Sequence, residues 1–251
     1  EMCIRDRRPA GVVGDWFFTL DPDGVDPVLK VHSLGECYRK GNPHYDQRST
    51  VPAIVDVTTG AVVNNDYHDL TTELETAWKK YFRPDAPDLY PEALHDDIDA
   101  LNDIIYADVN LAVNLAALVT SQKDYEFYYN KVFDRLDWLE KRLSSRRYLF
   151  GDTITDPDIR LYVTLARFDL VFYQKYYVNK KRLVDYPNLW NYAKDLYSHP
   201  AFGKNTDFDS MRKRFYYVDH TPFEDFPRIV PKGPDMSIWE EPNDRAAKFA
   251  K

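Results

Sequence analysis

The sequence predicts a small α/β segment followed by a larger all-helical domain, and three observations carry that expectation. Residues 52–56 and 61–64 are short, β-branched apolar runs around the turn Thr58-Thr59-Gly60, and a helix-periodic stretch follows. Arg83-Pro84-Asp85-Ala86-Pro87-Asp88 then reads as a linker, because its first proline ends the preceding helix and the pair stiffens the connection. Beyond it, apolar positions recur at spacings of three and four as far as Tyr217.

Taken in order, residues 1–24 lack a clear period. They contain the aromatic cluster Trp16-Phe17-Phe18 and a turn at Asp21-Pro22-Asp23-Gly24. Residues 27–41 read as a short helix closed by Gly41-Asn42-Pro43. After the two strands, Leu70, Leu74 and Trp78 predict a helix over 67–80. Leu94, Ile98, Leu101, Ile105 and Val109 predict one helix over 91–119, and Ser121 with Asp124 starts the next, carrying Val132, Leu136, Leu139 and Leu143. Thr155 is an N-cap whose partner Asp158 reaches back to its N–H, with Ile154 and Ile159 as a staple and Pro157 in the first turn. That helix is expected over 156–178, and two more over 187–198 and 207–217. The tail from Thr221 has five prolines and no period, and is expected to wrap as an extended segment. The organisation is thus residues 1–82, 88–220 and 221–251.

Composition narrows the classes. Hydrophobic residues at 44% and aromatic residues at 15% mark a globular chain able to bury a core. A formal charge of -8 argues against nucleic acid or an anionic membrane surface as the main partner. The basic run Asn179-Lys180-Lys181-Arg182 reads as a solvated helix end. Two cysteines make no disulfide framework and point to a reducing compartment. No apolar run reaches the roughly 18 residues of a membrane helix. His32, His44, His68, His95, His199 and His220 fall at no metal-ligand spacing, so no metal is expected, and neither a phosphate loop nor a nucleophile elbow is present.

The stretch Tyr148 to Asp169, with its capping box and staple, resembles the buried sixth helix of glutathione transferases. Val51-Pro52-Ala53-Ile54-Val55-Asp56, Thr59-Gly60 and Val62-Val63-Asn64-Asn65-Asp66 look like the second half of a thioredoxin-like domain. Asp88-Leu89-Tyr90-Pro91, Thr120-Ser121-Gln122, Leu165-Ala166-Arg167-Phe168-Asp169, Asp185-Tyr186-Pro187-Asn188-Leu189, Arg214-Phe215-Tyr216-Tyr217 and Ile229-Val230-Pro231-Lys232-Gly233-Pro234 follow in order. Together, over about residues 45–245, the chain resembles the xi class of glutathione transferases, the glutathionyl-hydroquinone reductases.

The resemblance implies an incomplete thioredoxin-like α/β domain and an all-α glutathione-transferase C-terminal domain. It implies glutathione as co-substrate, glutathionylated quinols as substrates, and a homodimer; the cysteine usage and the lack of a visible leader give a cytoplasmic location as the expectation, with an organelle as the alternative. It places glutathione against Trp16, Val51-Pro52 (whose peptide bond it makes cis), Asp66 and Tyr67, and the quinol against Asn114, Arg167, Tyr216 and Tyr217. Arg167 has a plainer alternative, an ion pair with Asp169 or Asp158. Tyr67 stands where the family has Ser, and Asn114 where it has Tyr, losing an aromatic face.

The family nucleophile is a cysteine in a Cys-Pro motif upstream of the Val-Pro segment. Cys3 precedes Ile4 and Cys37 precedes Tyr38, so neither matches. Glu1 to Arg7 moreover resembles translated adapter sequence. The expectation is a fragment whose catalytic cysteine lies upstream. The rival expectation is a non-catalytic glutathione-transferase-like binding or structural module. A third is reduction of disulfides or dehydroascorbate in the manner of omega-like relatives.

Overall fold

The computed structural model describes residues 15–19, 21–217 and 229–250. The chain divides after Phe82 into two compact units.

In the first unit, residues 16–18 run antiparallel to 32–34: the Phe18 N–H donates to the His32 carbonyl and the Leu34 N–H to that of Trp16, both at 2.9 Å. Helix α1 (Leu34–Gly41) starts at Ser33, which forms a capping box with Glu36. Asp15 adds a second cap, accepting from the Gly35 N–H at 2.7 Å; a Cβ on Gly35 would collide with that carboxylate. The helix begins later than the expected residue 27 because Asp26 Oδ1 takes the N–H groups of Val28 and Leu29, holding 26–31 as a turn. Its buried Leu34, Cys37 and Tyr38 pack with Val31, Trp16, Phe18, Val55 and Val62.

Strands β1 (Ile54–Val55) and β2 (Val62–Asn64) pair antiparallel around a turn in which Asp56 Oδ1 accepts from the N–H groups of Thr58 and Thr59. Those bonds hold the Asp56 carboxyl below the usual carboxylate range. Helix α2 (Leu70–Thr76) is shorter than the expected 67–80. Asp66 Oδ1 takes the N–H groups of His68 and Asp69, so residues 67–69 form a turn, and Lys79–Tyr81 tighten into a 3₁₀ turn. Leu70 is buried, but Leu74 and Trp78, expected on the same inner face, are exposed.

The second unit is helical. The predicted 91–119 helix is two, α3 (His95–Ile105) and α4 (Ala112–Leu118), joined by a π-helical turn over Tyr106–Asn110. Helix α5 (Gln122–Leu143) starts where Ser121 Oγ accepts from the Asp124 N–H. Helix α6 (Asp156–Arg167) runs through the middle, packed against α3 on one side. The expected 156–178 helix likewise breaks into α6, a π-helical turn (Phe168–Phe172) and the short α7 (Tyr173–Lys175). Helices α8 (Pro187–Ser198), α9 (Pro200–Gly203) and α10 (Phe208–Tyr217) follow. Ile105, Val109, Val132, Leu136, Leu161, Leu165, Phe168, Leu189 and Leu196 form the core. Each such side chain contributes about 1.5–3 kcal/mol by leaving water.

Asp158 organises this unit. Its buried carboxylate accepts from the Leu149 N–H (3.0 Å), the Thr155 N–H (2.8 Å), the Thr155 hydroxyl (3.0 Å) and the Tyr192 hydroxyl (2.7 Å). The capping box read from the sequence is therefore present, and it also ties the α5–α6 connection to α8. Burial pushes the Asp158 carboxyl up and the four donors pull it back.

The tail corrects the expectation of an extended segment. Met236–Glu240 form a 3₁₀ turn and α11 (Arg245–Lys248) follows it. Trp239 buries its ring against Tyr162, Trp190, Tyr197 and Phe208. Arg245 is buried, its guanidinium donating to the carbonyls of Leu143, Arg146, Arg147 and Asn188. Leu143 is the last residue of α5, where carbonyls lack helical partners and a cation meets the negative dipole end, and Arg146 and Arg147 lie in the connection just after it.

Asp158→Ala is expected to lower unfolding free energy by about 3–5 kcal/mol in urea titrations followed by circular dichroism, since four buried donors lose their acceptor. Asp209→Asn, on an exposed turn of α10, is expected to shift it by no more than about 0.5 kcal/mol. In the same titration Arg245→Ala is expected to cost about 2–4 kcal/mol, leaving the α5 carbonyls unpaired; a neutral result would mean the tail does not cap α5.

Candidate functional site

The glutathione-side candidates converge on one loop in the first unit. Trp16 is half-buried and its indole N–H donates to the Ser49 carbonyl at 3.1 Å. Tyr38, on α1, donates its hydroxyl to the Thr50 carbonyl at 2.9 Å and lies 3.1 Å from the Thr50 hydroxyl. Asn65 donates its side-chain N–H to Thr50 Oγ1 at 3.1 Å. Residues 49 and 50 are thus gripped from three directions immediately before Val51.

The Val51–Pro52 peptide bond is cis. Val51 is 49% exposed, and among the described residues neither its N–H nor its carbonyl takes a hydrogen bond. An exposed donor and acceptor side by side can pair with an extended peptide as a strand edge does. Through Asn65 the same loop is held beside Asp66, which is exposed. One Asp66 oxygen caps the turn before α2 and the other takes no hydrogen bond among the described residues. Tyr67 is exposed next to it. The site thus offers a peptide-pairing edge and a carboxylate at a helical start, suited to an ammonium group. Tyr38, Ser49 and Thr50 do the positioning and were not picked out from the sequence; no motif marks them, since their partners lie 12 to 33 residues away.

The quinol-side candidates lie in the helical unit. Asn110 and Asn114 form a ladder: Asn114 donates to the Asn110 carbonyl at 2.7 Å, and Asn110 to the Arg160 carbonyl (2.9 Å) and Thr164 hydroxyl (3.0 Å). One of the two N–H donors of Asn114 is therefore directed to the π-helical turn before α4. Arg167 is half-buried at the end of α6 and donates to the Val163 carbonyl. Asp169 accepts from the N–H groups of Leu183 and Val184, and Asp158 from the four donors described above. Tyr216, half-buried on α10, has its phenol pushed up by burial, which keeps it a hydrogen-bond donor at neutral pH. The side chain of Tyr217 lies outside the described residues. Helix α10 docks on the π-helical turn after Arg167 through Phe215, whose ring meets Phe172 at 5.9 Å and Tyr176 at 6.0 Å.

Cys37 is fully buried in α1, and burial pushes its thiol up, the reverse of what a nucleophile needs. Cys3 lies outside the described residues. Among the described residues no cluster of His, Cys, Asp and Glu could hold a metal, and no helix is long and apolar enough to cross a membrane. An open cleft of about 460 Å³ lies between α8, α9 and the tail, lined by Lys194, Tyr197, Lys204, Trp239 and Glu241 among others. It contains none of the candidate residues.

Over 244 residues the chain is 35% identical to the glutathionyl-hydroquinone reductase YqjG of Escherichia coli (strain K12), spanning 96% of this chain and 73% of that protein. This chain belongs to the glutathionyl-hydroquinone reductase family, the xi class of glutathione transferases. Residues 122–195 match the family described as glutathione S-transferase, C-terminal domain. The glutathione-bound structure of the Escherichia coli YqjG superposes with a TM-score of 0.85 at 33% identity, covering 98% of this chain and 79% of that one. The glutathione-S-transferase Xi from Phanerochaete chrysosporium gives a TM-score of 0.79 at 35% identity, covering 87% and 72%. The fold is accordingly that of glutathione transferases, β1, β2 and α2 belonging to the thioredoxin-like part and α3–α10 to the helical domain.

For a xi-class protein the state of Cys37 is decisive. Iodoacetamide at pH 7.5 is expected to leave Cys37 unlabelled in the native protein and to label it in urea, read by peptide mass mapping. Native labelling at a rate like that of a small thiol would contradict its burial.

Proposed function

We propose that this chain is part of an enzyme that reduces glutathionyl-hydroquinones, and that its nucleophilic thiol lies outside residues 1–251. The observation that carries the proposal is the Val51–Pro52 edge, fastened through Thr50 beside Asp66, in a chain whose relatives bear that enzyme's name. The burial of Cys37 supports placing the nucleophile elsewhere.

In the first step the cysteine thiolate attacks the thioether sulfur of the conjugate. A cysteinyl–glutathione disulfide forms, the sulfur–ring bond breaks, and the ring carbon takes a proton to give the free hydroquinone. A second glutathione thiolate then attacks the mixed disulfide, forming glutathione disulfide and returning the cysteine. The ring carbon gains two electrons, and the two sulfurs that end in glutathione disulfide, one from the conjugate and one from the free glutathione thiol, lose one each. Within this chain, the Val51 N–H and carbonyl bind the cysteinyl part of glutathione and Asp66 its γ-glutamyl ammonium, with Trp16 and Tyr67 beside them. Arg167 and Tyr216 bind quinol oxygens, with Tyr217 and Asn114 the further candidates. We also propose a homodimer formed through the helical domain, in a reducing compartment.

In the full-length protein, Asp66→Ala is expected to weaken glutathione binding about tenfold by calorimetry, the size of one charge-assisted hydrogen bond. Cys37→Ser is expected to leave turnover of a glutathionyl-hydroquinone unchanged. Loss of turnover in Cys37→Ser at unaltered stability would overturn the placement of the nucleophile. Glutathione binding without turnover in the wild-type protein would favour a non-catalytic binding module, a reading that the intrahelical bond of Asn114 also favours.

A further inference from the structure

The residue that grips the end of α10 is Lys175, the last residue of α7, and nothing in the sequence pattern marks it. Its ammonium donates to the carbonyl of Phe215 and stands over the ring of Tyr216, 5.2 Å from the centroid. The Phe215 carbonyl belongs to the backbone of α10, and a charged donor bonds such an oxygen more strongly than a neutral one. An ammonium over an aromatic face is attracted by the ring quadrupole. The two adjacent residues are thus held differently: Phe215 by its ring between Phe172 and Tyr176, and Tyr216 by the charge above it.

We propose that Lys175 is a positioning residue for Tyr216, fixing the direction in which that phenol is presented to a quinol oxygen. The proposal rests on the reductase reading for its consequence in turnover, and on the strap itself for its consequence in structure. A donor that is ordered beforehand loses less on binding, and Tyr216 is one of the groups proposed to meet the quinol. The burden on Tyr216 is greater here because Asn114, which gives one of its two N–H donors to the carbonyl of Asn110, offers no aromatic phenol in its place.

The test is a variant cycle in the full-length protein, read by steady-state kinetics on a glutathionyl-hydroquinone. K175M is expected to raise KM about tenfold with kcat little changed, equivalent to about 1.4 kcal/mol of binding. K175R, which keeps both the donor and the charge, is expected to recover most of that loss. K175M/Y216F is expected to be no worse than Y216F, because both variants remove one shared interaction. Losses that multiply, wild-type kinetics in K175M, or no recovery in K175R would overturn the proposal.

A second readout does not depend on turnover. With 3-fluorotyrosine incorporated, the fluorine resonance that disappears in Y216F is expected to shift in K175M and to return in K175R. K175Q keeps a donor for the Phe215 carbonyl without the charge, and serves if K175M does not fold; its resonance is expected to shift as well. A resonance that does not move in either variant would overturn the strap. Fluorine shifts as expected in a wild-type protein that turns over no glutathionyl-hydroquinone would uphold the strap and remove the reductase reading.

Discussion

The helical unit depends on one buried carboxylate. Asp158 collects a backbone N–H from the α5–α6 connection, a backbone N–H and a hydroxyl at the start of α6, and a phenol from α8. Taking a carboxylate out of water is costly, and donors from three parts of the chain offset that cost when all of them arrive together. The bonds therefore act as a checkpoint on packing: α6 enters the core in this register or leaves a charge stranded. Helices α3 and α8 then close on α6, α5 packs on α8, and Arg245 caps the end of α5 from a hundred residues away along the chain.

The smaller unit uses the same economy on its surface. Trp16, Tyr38 and Asn65 do not present chemistry themselves; they hold Ser49 and Thr50, which fixes the backbone of the next two residues. A ligand that pairs with the Val51 edge would meet groups already ordered, and the neighbouring Asp66 has one oxygen left after capping its own turn. In the xi-class setting these are the groups proposed for glutathione, while the buried Cys37 is a packing residue between α1 and its surroundings.

What the sequence disclosed follows the range of each interaction. The Thr155–Asp158 box and the Ser121 cap were legible because partner and cap lie three residues apart. The strands and the turn at Thr58-Thr59-Gly60 were legible for the same reason. The π-helical turns at Tyr106–Asn110 and Phe168–Phe172 were not, since the apolar period runs through them almost unaltered. Leu74 and Trp78 misled because they keep a helical period on a surface that the described residues do not cover. Arg245 and Lys175 were invisible because their acceptors are backbone carbonyls remote in sequence, which leave no side-chain pattern. Site residues with a family counterpart could be named in advance. Their present partners, such as the carbonyl that occupies Asn114, could not.

The central claim is that a thiol other than Cys37 attacks the conjugate while this chain holds its glutathionyl half. Mixing the full-length protein with a glutathionyl-hydroquinone, in the absence of free glutathione, tests that directly by intact mass and peptide mapping. One added glutathionyl group in disulfide linkage is expected, on a cysteine outside residues 1–251, with one equivalent of hydroquinone released. A glutathionyl group on Cys37, or hydroquinone released with no covalent adduct, would contradict it.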